Sequence, residues 1–402
     1  MLFLICQNNN MSLTKTLKQI VKRCIPHRLV EYRKQYNCLL YGLKSKLTTA
    51  KSKLIQNRYD LSDIKEVKSI SIFFIPEYIM INGGVMMLFA FAKYSRIVNK
   101  EIFVAVSTCG EKTYAKNTLF PNEEKVYRFE QFVNNCKCLE NLILNIPEYM
   151  ASYFYEILND REIKFLKSIK NLQLNIMNQN ILLMPEPEKL KQLTILTNNI
   201  TQTTGFEKYT TQEICDKWGY PLYFLLPNNG IDYSVFKKPF SQKKDIFYYS
   251  PDTHPRKEEI LEHLRSILPK FKFVEIRNLT YTSFLKFVST CKFSITFGEG
   301  FDGYITDIHG VGGIGFAVFN NEFFPSERFL NFANIFSSWD DLKFNIQERI
   351  KSLLDDPQKY EDCSKLLLDE VNKEYKEKIT LNCLRDFYNH KPTFIPKNVI
   401  NS

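Results

Sequence analysis

The chain has 402 residues, 44% of them hydrophobic and 24% charged, a balance that excludes a disordered or fibrous protein and suits two domains of ordinary size. No run of about 18 apolar residues occurs, so no membrane-spanning helix is expected. The net charge is +10, and its placement is more informative than its size.

Residues 1–58 hold twelve Lys and Arg and a single acid, Glu31, while the rest of the chain is close to neutral. Leu17, Ile20, Val21, Ile25, Leu29 and Val30 recur between the cations at helical spacing, and Pro26 divides the pattern. This predicts a basic amphipathic arm suited to an anionic membrane surface. A solvated arm or one that binds a protein partner remains the alternative. The neutral body offers no second basic face, so no nucleic acid partner is expected. The opening MLFLIC is too short for the apolar region of a signal peptide, and Met11 serves equally as a start. The ten cysteines are irregularly spaced and make no disulfide framework. Cys136-x-Cys138, the only close pair, lacks a second pair for zinc. Reduced thiols and a cytoplasmic location are expected.

After the arm, Ser69–Pro76 reads as a buried strand, Asn82-Gly83-Gly84 as a turn, Val85–Arg96 as a helix and Glu101–Ser107 as the next strand. This βαβ unit predicts a parallel sheet covered by helices. Further strands are expected at Asn141–Ile146, Leu172–Met177 and Leu193–Thr197, with helical stretches near 148–158 and 161–169. A second alternating series opens with strand Leu222–Leu226. It continues through strand Asp245–Ser250, helix Glu258–Leu268, strand Phe271–Ile276, helix Ser283–Ser289, strand Phe293–Phe297, a helix from Tyr304 and strand Phe316–Phe319. Helices near 340–354 and 357–388 close the chain. The pattern is α/β, with two Rossmann-like domains and a cleft between them.

Three places at the carboxyl ends of strands can carry chemistry. Gly298-Glu299-Gly300-Phe301-Asp302-Gly303 follows one strand and opens a helix, and Asp307 lies eight residues after Glu299. Both carboxylates can face one pocket as acceptors for sugar hydroxyls. The plainer alternative has Glu299 capping the helix and Asp307 on its wet face. Arg256 and Lys257 follow another strand and suit a diphosphate, or else stand at a solvated helix start; His254 is adjacent. Gly83 and Gly84 can bring backbone amides to a phosphate, or form an ordinary turn.

Leu226–Phe236, LPNNGIDYSVF, resembles the Ile-Pro-Asn-Gly-Val-Asp-x3-Phe signature of the retaining GT-B glycosyltransferases, through Pro227, Asn229, Gly230, Ile231, Asp232 and Phe236, with Asn228 inserted. Glu299-Gly300-Phe301 and Asp307 resemble that family's Glu-x7-Glu motif, as found in bacterial polysaccharide enzymes, with Asp in the second place. Gly312–Asn320 resembles the strand that follows. The resemblance covers residues 69–345.

It implies a GT-B fold: an arm over 1–60, an N-terminal Rossmann-like acceptor domain over 61–205, a nucleotide-sugar domain over 206–345, and C-terminal helices over 346–402 packing back on the first domain. It implies a glycosyltransferase that moves a sugar, with retention, from a nucleotide-sugar donor to a glycan or lipid-linked acceptor in cell-surface polysaccharide synthesis; the basic arm suggests a place peripheral on the inner face of the membrane. Glu299, Arg256 and Lys257 would be catalytic, and Gly83, Gly84, His254, Gly298, Gly300, Phe301 and Asp307 would bind substrate. No metal or other cofactor is implied, and no Asp-x-Asp occurs. The family's N-terminal-domain histidine has no counterpart. A non-catalytic glycan-binding or scaffold module and another nucleotide-sugar enzyme, such as an epimerase, are the alternatives.

Overall fold

The computed structural model describes residues 43, 45–228 and 230–397. The cation-rich stretch 15–34 and Asn229 of the Pro227–Phe236 motif lie outside them. Residues 1–57 and 58–402 form two compact units. In the first, the described part is a helix over 45–56 that buries Ser52 and Gln56 and exposes Leu47 and Leu54.

The second unit holds two parallel sheets. The first contains β1 (Ser69–Phe74), β2 (Phe103–Thr108), β3 (Val126–Arg128), β4 (Asn141–Pro147), β5 (Asn171–Asn178), β6 (Ile200–Thr204) and β7 (Leu222–Phe224), in the order β3-β2-β1-β4-β5-β6-β7. The second contains β8 (Lys244–Tyr249), β9 (Lys272–Glu275), β10 (Cys291–Ile295), β11 (Ile314–Val318) and β12 (Ile335–Phe336), in the order β12-β11-β10-β8-β9. The longer helices of this unit are α1 (Gly83–Val98), α2 (Asp160–Ser168), α3 (Lys257–Ile267), α4 (Tyr281–Val288), α5 (Gly303–Gly310), α6 (Trp339–Asp355), α7 (Pro357–Glu374) and α8 (Glu377–Tyr388).

Strand β1 shows why the layers form. Its residues 70–74 are all buried, as befits a parallel strand covered on both faces. Alternation then divides them. Phe73 joins Val104 and Val106 under Leu88, Phe89 and Phe91 of α1. Ile70, Ile72 and Phe74 face Phe129, Phe132 and Leu166 on the other side. Each such buried side chain contributes about 1.5–3 kcal/mol. In the second sheet, the rings of Phe247, Phe293 and Phe316 meet at 5.5–6.1 Å. Helix α8 returns to the first sheet, where the Tyr388 hydroxyl donates to Ser71 Oγ at 3.1 Å and Phe387 packs edge-on against Tyr223.

A polar ladder also crosses the first sheet. Asn145 Nδ2 donates to Ser71 Oγ, Asn175 Nδ2 to Asn145 Oδ1, and Thr201 Oγ1 to Asn175 Oδ1, each at 3.0 Å. All four residues are buried, so the strands β1, β4, β5 and β6 are pinned in register by side chains as well as by backbone.

Four expectations are corrected. The Gly83-Gly84 turn is the first turn of α1, capped by Asn82, whose Oδ1 accepts from the Val85 N–H at 2.8 Å. The expected strand Leu193–Thr197 is a 3₁₀ turn, Lys191–Ile195. Leu190, Leu193 and Leu196 lie three apart and bury one side of it. The strand begins later, at Ile200, in the polar run ITQTT. Leu222–Leu226 does not open the second sheet: Leu222–Phe224 is the edge of the first. The stretch 357–388 is two helices, interrupted at Tyr375.

The strand order of each sheet reverses once, between β1 and β4 and between β8 and β10. Ligands of open α/β sheets bind outside the carboxyl ends of strands at such places.

Candidate active site

A cavity of about 1450 Å³ lies where both reversals meet. From the first sheet it receives the ends of β1, β4 and β5, represented by Glu77, Glu148 and Asn178, and the start of α1 at Gly83 and Gly84. From the second it receives Asp252 after β8, Arg277 after β9, Glu299 after β10 and the first turns of α5 down to Asp307. Six carboxylates line it, Glu77, Glu148, Asp252, Glu299, Asp302 and Asp307, against two cations, Lys112 and Arg277.

Glu299 spans the opening. Its Oε1 accepts from Asn180 Nδ2, after β5, at 3.3 Å. Glu299 keeps contact with solvent, yet crowding by protein atoms, then the charges of Asp302 and Asp252, push its carboxyl up to about 7. The backbone that delivers it needs glycine: Gly300 has φ +86°, and a Cβ there would lie 2.8 Å from the Val318 carbonyl oxygen.

Asp302 caps α5. It accepts from the Tyr304 N–H at 2.8 Å and from Thr296 Oγ1 at 2.5 Å, and burial raises it to about 6. Asp307 is 4% exposed. Its Oδ1 accepts from the hydroxyls of Tyr233 at 2.6 Å and Tyr281 at 2.8 Å. Burial outweighs these two bonds and lifts its carboxyl to about 6. Phe301 lines the cavity and packs among Phe324, Phe329 and Tyr375. Gly298 lines it too, with space beside it taken by the Asp252 carboxylate.

The basic pair stands elsewhere. Neither Arg256 nor Lys257 is among the residues that line the cavity. The Arg256 guanidinium pairs with Glu259 at 2.5 Å and with Asp340 at 2.9 Å, tying α3 to α6. Lys257 is 9% exposed. Its Nζ donates to the carbonyls of Ser250 and Asp252 at 2.8 and 2.9 Å and to Glu275 at 3.2 Å. It thereby fixes the end of β8 against β9. His254 packs against Trp339 with its ring tilted by 34° and centroids 4.4 Å apart, and its Nδ1 accepts from the Arg256 N–H. Burial, then Arg256, lower its pKa. Lys257 thus holds the loop that carries Asp252, while Arg256 and His254 tie the start of α3 to α6.

Arg277 is the cation that the motifs did not single out. It lies just past strand Phe271–Ile276, the position that the strand-end rule would have flagged. Glu275 holds it at 2.6 and 3.0 Å, and its side chain is 61% exposed. Asn180 was likewise missed; polar residues after an expected strand gave no motif to notice. Among the described residues, no group of three or more His, Cys, Asp or Glu is placed to hold a metal ion, and no helix is long and apolar enough to cross a membrane.

No protein-family model matches this sequence, and no curated protein matches it. Solved structures do. An alpha-glucosyltransferase in complex with UDP-glucose and DNA containing an abasic site matches at a TM-score of 0.53 and 12% identity, over 80% of this chain and 99% of that one. An alpha-glucosyltransferase with UDP and a 13-mer DNA matches at 0.50 and 12%, over 80% and 98%. Sucrose-phosphate synthase from Thermosynechococcus elongatus matches at 0.49 and 10%, over 80% and 98%. The two Rossmann-like sheets facing one cleft are the GT-B fold of the two alpha-glucosyltransferase structures.

Proposed function

We propose that the chain transfers a sugar from a nucleoside-diphosphate sugar to a hydroxyl acceptor, with retention at the anomeric carbon. The observation that carries this reading is the single cavity joining the reversal points of both sheets, with Glu299 reaching across it to Asn180. The likeness to enzymes whose structures hold UDP-glucose or UDP supports uridine nucleotides as the first donors to test.

The two helix starts at the cavity differ in charge. Helix α5 is capped by Asp302, which repels a phosphate. Helix α1 has a neutral cap and no acid in its first turn, and a Cβ at Gly83 would meet nothing within 4 Å. The donor diphosphate therefore belongs at the N-terminus of α1, with Arg277 facing it. These groups would stabilise the charge that develops on the leaving diphosphate. Glu299 would hold hydroxyls of the donor sugar, and Asp307, its Oδ1 engaged by two tyrosines, would offer Oδ2 to the ribose. Lys257 and Arg256 serve by holding the strand ends in place. The acceptor hydroxyl then forms the new glycosidic bond as the bond to the diphosphate breaks, its proton leaving with the nucleotide or to solvent.

Release of UDP from UDP-glucose, followed in the presence of a panel of glycan acceptors, tests the activity. Turnover by the wild type and its loss in Glu299→Gln support the proposal. Failure of every nucleotide sugar to be turned over sinks it. The basic residues of segment 1–58 support work at an anionic membrane: deleting them should abolish co-sedimentation with anionic vesicles, and undiminished co-sedimentation would refute that placement.

A further inference from the structure

Strands β8 and β10 are neighbours at the point where the second sheet reverses, and their ends are clamped together. The Ser250 N–H donates to the Ile295 carbonyl at 3.2 Å, and Ser250 Oγ accepts from the Phe297 N–H at 2.9 Å. Two residues beyond Ser250 stands Asp252, and two beyond Phe297 stands Glu299. Both line the cavity. A Cβ on Gly298 would lie 2.8 Å from Asp252 Oδ2, so glycine is what leaves room for that carboxylate beside the Glu299 loop.

Asp252 differs from the other acids that the second sheet sends to the cavity. Asp302 accepts from Tyr304 and Thr296, Asp307 from Tyr233 and Tyr281, and Glu299 from Asn180. Among the described residues, nothing donates to the Asp252 carboxylate or pairs with it; Lys257 meets only its main-chain carbonyl. Its charge acts on its neighbours instead. After burial and Asp302, Asp252 raises the Glu299 carboxyl, and after burial it raises that of Asp302. An unpaired carboxylate held against two others is unfavourable in the free protein. The loop is nonetheless fixed, because Lys257 commits all three ammonium hydrogens to Ser250, Asp252 and Glu275. A rigid loop that presents one unpaired anion is preorganised for a partner that becomes positive.

Charge decides which part of the donor that partner is. Asp252, Glu299 and Asp302 oppose a phosphate, which belongs at α1 and Arg277, so the sugar lies on the side of the acids. As the diphosphate departs, the anomeric carbon and ring oxygen come to share a positive charge. A carboxylate beside them stabilises that state more than the neutral sugar before it.

We propose that Asp252 is a catalytic residue of the transfer: its carboxylate faces the sugar ring of the bound donor and stabilises the positive charge that grows there. No bond to Asp252 forms. The electron pair of the breaking bond leaves with the diphosphate, and the acceptor oxygen supplies the new one. The proposal rests on the transferase reading, with Glu299 holding the same sugar.

UDP release from UDP-glucose and calorimetric UDP binding, measured on the full chain, test it. Asp252→Asn keeps the shape of the side chain and removes its charge. Its kcat should fall on the order of 100-fold, with KM little changed, UDP bound as tightly as before or more tightly, and no loss of melting temperature. Asp252→Glu, which keeps the charge, should retain more of kcat than Asp252→Asn. Unchanged kcat in Asp252→Asn, a raised KM at constant kcat, or weakened UDP binding would overturn the proposal. So would a requirement for a divalent cation that Asp252→Asn removes, since Asp252 would then be a metal ligand. Wild type that binds UDP but turns over no nucleotide sugar would overturn the transferase reading and this role with it, a result distinct from turnover that Asp252→Asn leaves intact.

Discussion

Glu148→Gln should make the protein more stable at pH 8, and by an amount that fades as the pH falls. Burial, the largest cause, raises the Glu148 carboxyl from its ordinary 4.5 to about 7, against hydrogen bonds from its own N–H and those of Gln179 and Asn180. A folded pKa above the unfolded one means that the native state binds the proton more tightly. The stability this contributes is complete below pH 4.5 and is lost as pH rises through about 7. At about 1.4 kcal/mol per tenfold change in proton affinity, the rise from 4.5 to about 7 corresponds to about 3 kcal/mol. Glutamine keeps the acceptor oxygen and removes the charge, so the variant escapes that loss. Urea unfolding of both proteins at pH 8 and pH 5 reads it directly. The advantage of the variant should be about 3 kcal/mol larger at pH 8 than under fully acidic conditions, with most of the difference gone by pH 5. Parallel stability–pH curves would refute the argument that a desolvated carboxylate is being held at the cavity. A chain that retains such a cost at the end of β4 is trading stability for a group at the site.

Three further outcomes follow from local geometry. Gly300→Ala should destabilise by at least about 1–2 kcal/mol from the left-handed backbone alone, and more from the contact with Val318; urea midpoints equal to the wild type would contradict this. Asn175→Val leaves the Asn145 carbonyl and the Thr201 hydroxyl without their ladder partners, at about 1–3 kcal/mol each. Thermal unfolding should show the loss, and an unchanged transition would mean that the ladder does not contribute. Tyr281→Phe removes one of two hydrogen bonds that favour the charged form of Asp307. Its carboxyl should titrate above the present value of about 6, observable in carbon-13 NMR of labelled aspartate; a fall would refute the assignment.

Much of the fold was legible because parallel strands buried on both faces read as apolar runs. SISIFF, FVAVST and NLILNIP announced themselves in this way. β6 did not, because its polar residues are buried, Thr201 and Gln202 through side-chain hydrogen bonds rather than apolar area. The nearby leucines at 190, 193 and 196 carried a helical spacing that a short window reads as a strand. β7 was legible as a strand but not in its sheet, since pairing is set by tertiary partners. At the site, Glu299 and Asp307 were visible as a spaced pair after a strand, and both line the cavity. The two cations of SPDTHPRK were equally visible, yet Glu259, Asp340 and Glu275 engage them. A strand-end position names the neighbourhood of a site, and the acids that capture a cation come from elements distant in sequence.

The central claim is that the cleft binds a nucleoside diphosphate between α1 and Arg277. Calorimetric titration of UDP into the full chain, into Arg277→Ala and into Arg256→Ala tests it most directly. The account predicts one saturable site in the wild type, weakened on the order of tenfold by Arg277→Ala and little changed by Arg256→Ala. Absence of binding by UDP and by the guanosine, thymidine and cytidine nucleotides, or a loss confined to Arg256→Ala, would contradict it.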